Sequence, residues 1–149
     1  MKKFVAAKLH GITVTEADLN YHGSITLDPD HCEAAGILPM EFVDIWNKQS
    51  GARISTYVIY GTRGERQCIL NGAAARTCQV GDQLIICSND FLDAGAVTEI
   101  APTVLTFTPE NEVDEILTYK AQRDEAGKLT FDILKDDQAQ PIPYRAKTA

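Results

Sequence analysis

The stretch ADLNYHGSITLD, residues 17–28, carries the decision about this chain. Extended, apolar-alternating runs lie on either side of its Gly23-Ser24 dipeptide, with Ile12 to Val14 before and Ile25 to Leu27 after. Between them stand a tyrosine, a histidine, Gly23 and Ser24 in succession. As local structure this is a turn between two strands, because Gly-Ser pairs are common punctuation. As chemistry it is a hydroxyl placed next to the one carbonyl whose residue offers no side-chain hindrance. Glycine also tolerates the dihedrals that an attack on that carbonyl requires. A serine hydroxyl is a weak nucleophile unless its surroundings remove its proton or strain its target.

Working outward, most of residues 1–108 is written in period-2 or short apolar runs separated by explicit turns, NKQSG, GTRGER, LNG and QVGD. The pattern predicts strands at 3–8, 11–14, 24–27, 42–47, 53–60, 67–71, 82–87 and 97–107. Two short helices are predicted. One spans 29–35, with Asp28 as N-cap, Pro29 at its first position and Gly36 as its stop; the other is a single turn near 73–77. Many short strands and few helices make the chain mainly β, a compact barrel. From about residue 110 the pattern changes. ENEVDEILTYKAQRD spaces Val113, Ile116 and Leu117 as a helix does, KLTFDILKDD reads as a strand or extended arm, and QPIPYRAKTA as a tail. The division expected is a core at 1–108 and an acidic C-terminal extension, helix and arm, at 109–149.

The 149 residues suit one domain, and the net charge of −7 gives no electrostatic case for nucleic-acid binding. Cys32, Cys68, Cys78 and Cys87 show no CxxC spacing and read as reduced thiols of a cytoplasmic protein. The N-terminal apolar run ends at Lys8, too short for a signal segment or a membrane span. Three scattered histidines without paired acidic spacing make no metal site.

The polar inventory around Gly23-Ser24 is specific. KLHGITVTEADLNYHGS, AAGILPMEFVDIWN, GARISTYVI, LNGAAAR and VGDQLII run through roughly residues 1–90, and they resemble the pyruvoyl-dependent aspartate 1-decarboxylases. The resemblance implies a double-psi β-barrel, assembled as a homotetramer with active sites between subunits. It implies a cofactor made from the chain itself, a pyruvoyl group derived from Ser24 by self-cleavage after Gly23, with neither metal nor pyridoxal phosphate. It implies decarboxylation of L-aspartate to β-alanine for pantothenate and coenzyme A synthesis, the ketone accepting the electron pair that no ordinary side chain can hold. Ser24 and Tyr57 are then the catalytic residues, Tyr57 as proton donor. Thr56 meets the oxyanion formed during self-cleavage, with Asn71 holding the intermediate. Lys8, Arg53, Thr56, Gly72, Ala73 and Ala74 bind substrate. Arg53 grips a carboxylate in bidentate fashion, Lys8 adds charge for the second, and the NGAAA loop offers backbone N–H groups unshielded by bulk.

Each residue also has a plainer reading. Tyr57 alternates with neighbours in a strand, Arg53 and Lys8 are solvated charges, Trp46 is a wall residue, and NGAAA is a helix start. Two other readings of the whole chain stand beside the decarboxylase. One is a barrel that never cleaves and serves in binding or assembly; the other is the same enzyme in a secondary-metabolite pathway. Whether cleavage needs a maturation factor is left open by the sequence.

Overall fold

The computed structural model describes residues 1–135 and 141–142. Eleven strands form one sheet, wound around one core as in a β-barrel: β1 (Lys2–Thr13), β2 (Glu16–Asp18), β3 (Ser24–Leu27), β4 (Phe42–Asn47), β5 (Arg53–Tyr60), β6 (Cys68–Asn71), β7 (Gln83–Leu92), β8 (Thr103–Phe107), β9 (Val113–Arg123), β10 (Leu129–Lys135) and β11 (Pro141–Ile142). Their order across the sheet is β11-β10-β9-β8-β1-β7-β4-β5-β3-β6-β2. The α1 helix (Pro29–Ala35) and 3-10 turns at Gly72–Arg76 and Ala94–Thr98 complete the elements. Leu9, Ile12, Ile25, Leu27, Ile45, Leu70, Leu84, Ile86 and Leu105 are sealed inside, each burial contributing about 1.5–3 kcal/mol.

Several sequence expectations meet corrections. The runs at 3–8 and 11–14 are one strand. Register shifts lie between Val5 and Ala7 and between His10 and Ile12, and Gly11 has φ +84°. The second shift moves the inward set from Ala7 and Leu9 to Ile12 and Val14, so a single strand loses its parity and reads as two. The run at 97–107 begins as a 3-10 turn and becomes extended only at Thr103. The short strand β2 has no counterpart among the expected strands.

The helix expected within 110–124 is β9, a strand paired with both β8 and β10. The i, i+3, i+4 spacing of Val113, Ile116 and Leu117 misleads. Leu117, Tyr119 and Ala121 also alternate, and Ile, Thr and Tyr favour a pleated surface once two ladders are available to satisfy the backbone. The arm expected at 128–137 is strand β10 over its described part, Leu129–Lys135. Of the tail at 140–149, only the backbone of Pro141–Ile142 falls within the described residues, paired with Leu134 and Ile133.

Two buried side chains tie distant loops to this frame. Asn111, at φ +60°, bonds Thr13 like a strand partner: its Oδ1 accepts from Thr13 N at 2.8 Å and its Nδ2 donates to Thr13 O at 2.8 Å. Asp28 caps α1 by accepting from Asp30 N at 2.9 Å, and its other oxygen accepts from Gly64 N at 3.0 Å and Arg66 N at 2.8 Å. Burial pushes the Asp28 carboxyl up, but the three N–H groups and the nearby His31 outweigh it and hold it below the ordinary carboxylate value. A carboxylate with a depressed folded value stabilises the fold above its unfolded pKa and loses that contribution as pH falls through the folded value. Asp28→Asn is therefore expected to cost about 1–3 kcal/mol at neutral pH. Urea unfolding at neutral and at acid pH checks this, with the gap to wild type narrowing in acid.

Candidate active site

Ser24 opens β3, a strand buried at all four positions. β3 runs antiparallel to β6, with Ser24 opposite Asn71, and parallel to β5, with Ile25 opposite Val58. Continuing the β5 register back two residues brings Gly23 alongside Thr56. Pairing on both sides thus gathers Gly23, Ser24, Thr56 and Asn71 from three strands.

The Ser24 hydroxyl is fully buried and has two partners. It donates to the carbonyl oxygen of His22 at 3.1 Å and accepts from Asn71 Nδ2 at 2.9 Å. Nδ2 also donates to Thr26 Oγ1 at 2.9 Å. Thr26 is not among the residues expected from the sequence. Its one signal there is its position two residues after Ser24, on the same face of the strand.

The 3-10 turn after β6 begins at Gly72, with φ +66°. A Cβ there would stand 2.8 Å from Gly23 Cα and 3.0 Å from Gly23 N. The turn's backbone therefore rests directly on the backbone of Gly23, at a distance no side chain permits. Beside it opens a cavity of about 250 Å³ lined by Gly23, Thr56, Asn71, Ala73, Ala74 and Thr77, together with Ile54 and Ser55.

Of the residues expected at the site, the single chain brings Gly23, Ser24, Thr56, Asn71, Gly72, Ala73 and Ala74 together. Lys8, Arg53 and Tyr57 do not line this cavity. Thr56 and Tyr57 are consecutive in β5 and so point to opposite faces; the Tyr57 ring tilts against exposed Phe42 at 5.8 Å. The Arg53 guanidinium stacks on Trp46 at 4.6 Å, and both line a separate cavity of about 210 Å³. Lys8, half-buried on β1, holds its Nζ 5.5 Å from the Tyr119 ring centre in β9. Close to Lys8 in sequence, His10 is kept below its ordinary pKa, by burial first and then by Lys8 and Lys48.

All four cysteines are free and buried. Burial chiefly pushes the Cys32 thiol up to about 12 and raises the Cys68 thiol as well, so neither is a thiolate nucleophile. Among the described residues no group of three His, Cys, Asp or Glu could hold a metal ion, and no helix is long and apolar enough to cross a membrane.

A buried serine hydroxyl directly after a glycine that lines a small cavity in a β-barrel defines a particular kind of site. The family model described as aspartate decarboxylase matches residues 1–114. A protein of Beijerinckia indica named aspartate 1-decarboxylase is 62% identical over 147 residues, 98% of each chain. Aspartate 1-decarboxylase 2 of Mesorhizobium japonicum is 62% identical over 96% of each chain. Aspartate 1-decarboxylase of Xanthobacter autotrophicus is 58% identical over the whole of both. The chain belongs to the aspartate decarboxylase family.

The contact between Gly72 and Gly23 is testable against a glycine that lacks such a neighbour. At Gly127, with φ +79°, an added Cβ would meet nothing within 4 Å. Gly127→Ala should cost only the left-handed strain of about 1–2 kcal/mol. Gly72→Ala pays the same strain plus displacement of Gly23, so its loss of stability in thermal or urea unfolding should be clearly the larger.

Proposed function

We propose that this chain cleaves its own Gly23–Ser24 bond and then decarboxylates L-aspartate to β-alanine and CO₂ through a pyruvoyl group at position 24. The observation that carries the reading is the held Ser24 hydroxyl, fixed between the Asn71 amide and the His22 carbonyl beside a glycine backbone clamped by Gly72. The family membership and the names of the relatives support the same reaction.

In the cleavage, Ser24 Oγ forms a bond to the Gly23 carbonyl carbon, and the hydroxyl proton ends on the Ser24 nitrogen as the C–N bond breaks. In this reading Thr56, which lines the same cavity as Gly23, donates to the oxyanion that develops between these events. Loss of the Ser24 α-proton with rupture of the Cβ–Oγ bond leaves Gly23 as a free carboxylate. Water then releases ammonia from the new N-terminus. The Asn71 amide, already bonded to Oγ, stays within reach of the oxygen that becomes part of that carboxylate. The residues beside Ser24 fit the group that results, because the lining of the adjacent cavity combines the small residues Gly23, Ala73 and Ala74 with the hydrogen-bonding side chains of Ser55, Thr56, Asn71 and Thr77.

When formed, the pyruvoyl ketone supplies the electron sink that decarboxylation of an amino acid requires. The chain's own residues bind and protonate. Arg53 and Lys8 hold the two substrate carboxylates, the N–H groups of Gly72, Ala73 and Ala74 orient the substrate, and Tyr57 delivers a proton to the α-carbon. Lys8, Arg53 and Tyr57 do not line the Gly23 cavity of their own chain, and in this reading the active site is completed between subunits of a homotetramer. The exposed Leu38, Met40 and Phe42 beside Tyr57 support an interface there. In this reading residues 1–108 are the catalytic core, a barrel of the double-psi form, and 109–149 an addition to it. The free thiols fit a cytoplasmic enzyme that serves pantothenate and coenzyme A synthesis.

Denaturing intact-mass spectrometry tests the reading. The expected products are residues 1–23 and a 24–149 fragment lighter than a serine-ended one by one ammonia. Ser24→Ala is expected to remain a single chain of 16.3 kDa and to release no CO₂ from aspartate. Formation of β-alanine by that variant would overturn it.

A further inference from the structure

Ser24 and Thr26 stand two residues apart in β3 and share a face, with Asn71 directly opposite Ser24 and Ile69 opposite Thr26. The Asn71 amide nitrogen carries two protons and spends both here: one on Ser24 Oγ and one on Thr26 Oγ1, each at 2.9 Å. Asn71 is 2% exposed and Thr26 9%, so solvent is a poor substitute for either partner.

Thr26 is itself held in place from behind. A Cβ on Gly61 would fall 2.8 Å from Thr26 Cγ2 and 2.1 Å from Gln67 Oε1. Gln67 Oε1 in turn accepts from Thr62 N at 2.8 Å. The threonine methyl thus seats against the bare backbone of Gly61, while its hydroxyl faces Asn71. A second cavity, of about 320 Å³, lies on this side and is lined in part by Thr26, Gly61, Gln67 and Asn71. The Asn71–Thr26 hydrogen bond borders that space, and Asn71 also lines the cavity beside Gly23.

We propose that Thr26 is a positioning residue for scission of the Gly23–Ser24 bond, acting through Asn71; the inference rests on the reading of Ser24 given above. Because the Ser24 proton is committed to His22 O, the hydroxyl can only accept from Asn71, and these two bonds fix which lone pair remains for the Gly23 carbonyl. Removing the Thr26 oxygen orphans the second Nδ2 proton in a buried site. The amide then turns to satisfy it, and the nucleophile loses its fixed donor.

The test is the time course of chain scission, followed by intact mass on freshly made wild type, Thr26→Val and Thr26→Ser. Valine keeps the shape and removes the hydroxyl; serine keeps the hydroxyl and removes the methyl. Thr26→Val should cleave about tenfold more slowly, the factor that about 1.4 kcal/mol gives. Thr26→Ser should stay within about twofold of wild type, since its hydroxyl keeps the same acceptor. Scission of the valine variant at the wild-type rate overturns the proposal. Equal slowing of both variants also overturns it, because that is the mark of packing alone. If circular dichroism shows the valine variant unfolded, Thr26→Ala replaces it in the same comparison with serine. A wild type that never cleaves overturns the Ser24 reading itself and this inference with it, an outcome distinct from the others.

Discussion

The approach of Gly72 to Gly23 is the constraint on which the rest of the site depends. Two backbones meet there with no side chain between them, and the left-handed φ of Gly72 turns the chain out of β6 into the loop that bears Ala73 and Ala74. From that contact the remaining geometry follows by pairing. Asn71, the last residue of β6, must lie opposite Ser24; Thr56 on the parallel neighbour must lie beside Gly23. A serine hydroxyl, a glycine carbonyl and two polar side chains are thereby set within one small region of a sheet, where ladder hydrogen bonds restrict their movement.

Burial gives these contacts their weight. Ser24 and Asn71 are almost wholly enclosed, so their hydrogen bonds are not exchanged for water and an unpaired partner is costly. The charged groups are arranged differently. Arg53 is spread over Trp46 and Lys8 faces Tyr119, each against an aromatic ring and neither fully buried. The Ser24 hydroxyl and the two cations thus lie apart, the one enclosed and the others partly exposed, and in the proposed reading the active site becomes complete only where two chains meet. Tyr119 comes from β9 and lies past residue 114, the last residue matched by the family model, so a strand that runs beyond the family match reaches Lys8.

Much of this was legible in the sequence, for physical reasons that particular residues show. Phe42–Asn47 alternates cleanly and Arg53–Tyr60 follows it as a strand across the NKQSG turn, and the Asp28, Pro29 and Gly36 signals bound α1 as observed. The cluster of Gly23, Thr56, Asn71, Ala73 and Ala74 was legible only through the resemblance of its motifs to the aspartate decarboxylases; on the bare sequence Gly23-Ser24 reads as a turn and NGAAA as a helix start. What escaped depended on contacts that period and propensity do not encode. The bulge at Gly11 broke one strand into two apparent ones. The β9 strand was hidden by an accidental helical spacing that two neighbouring ladders override. Asn111 reaches Thr13 across 98 residues of chain. The two faces of β5 separated Thr56 from Tyr57, although the motif places them side by side.

The most direct measurement of the central claim is reductive trapping. The purified enzyme is treated with cyanoborohydride in the presence of L-aspartate, and its fragments are weighed and sequenced by tandem mass spectrometry. The account requires a substrate-derived mass at the first residue of the 24–149 fragment, with parallel loss of activity. A mass on a lysine elsewhere, or loss of activity with that fragment unchanged, would contradict it.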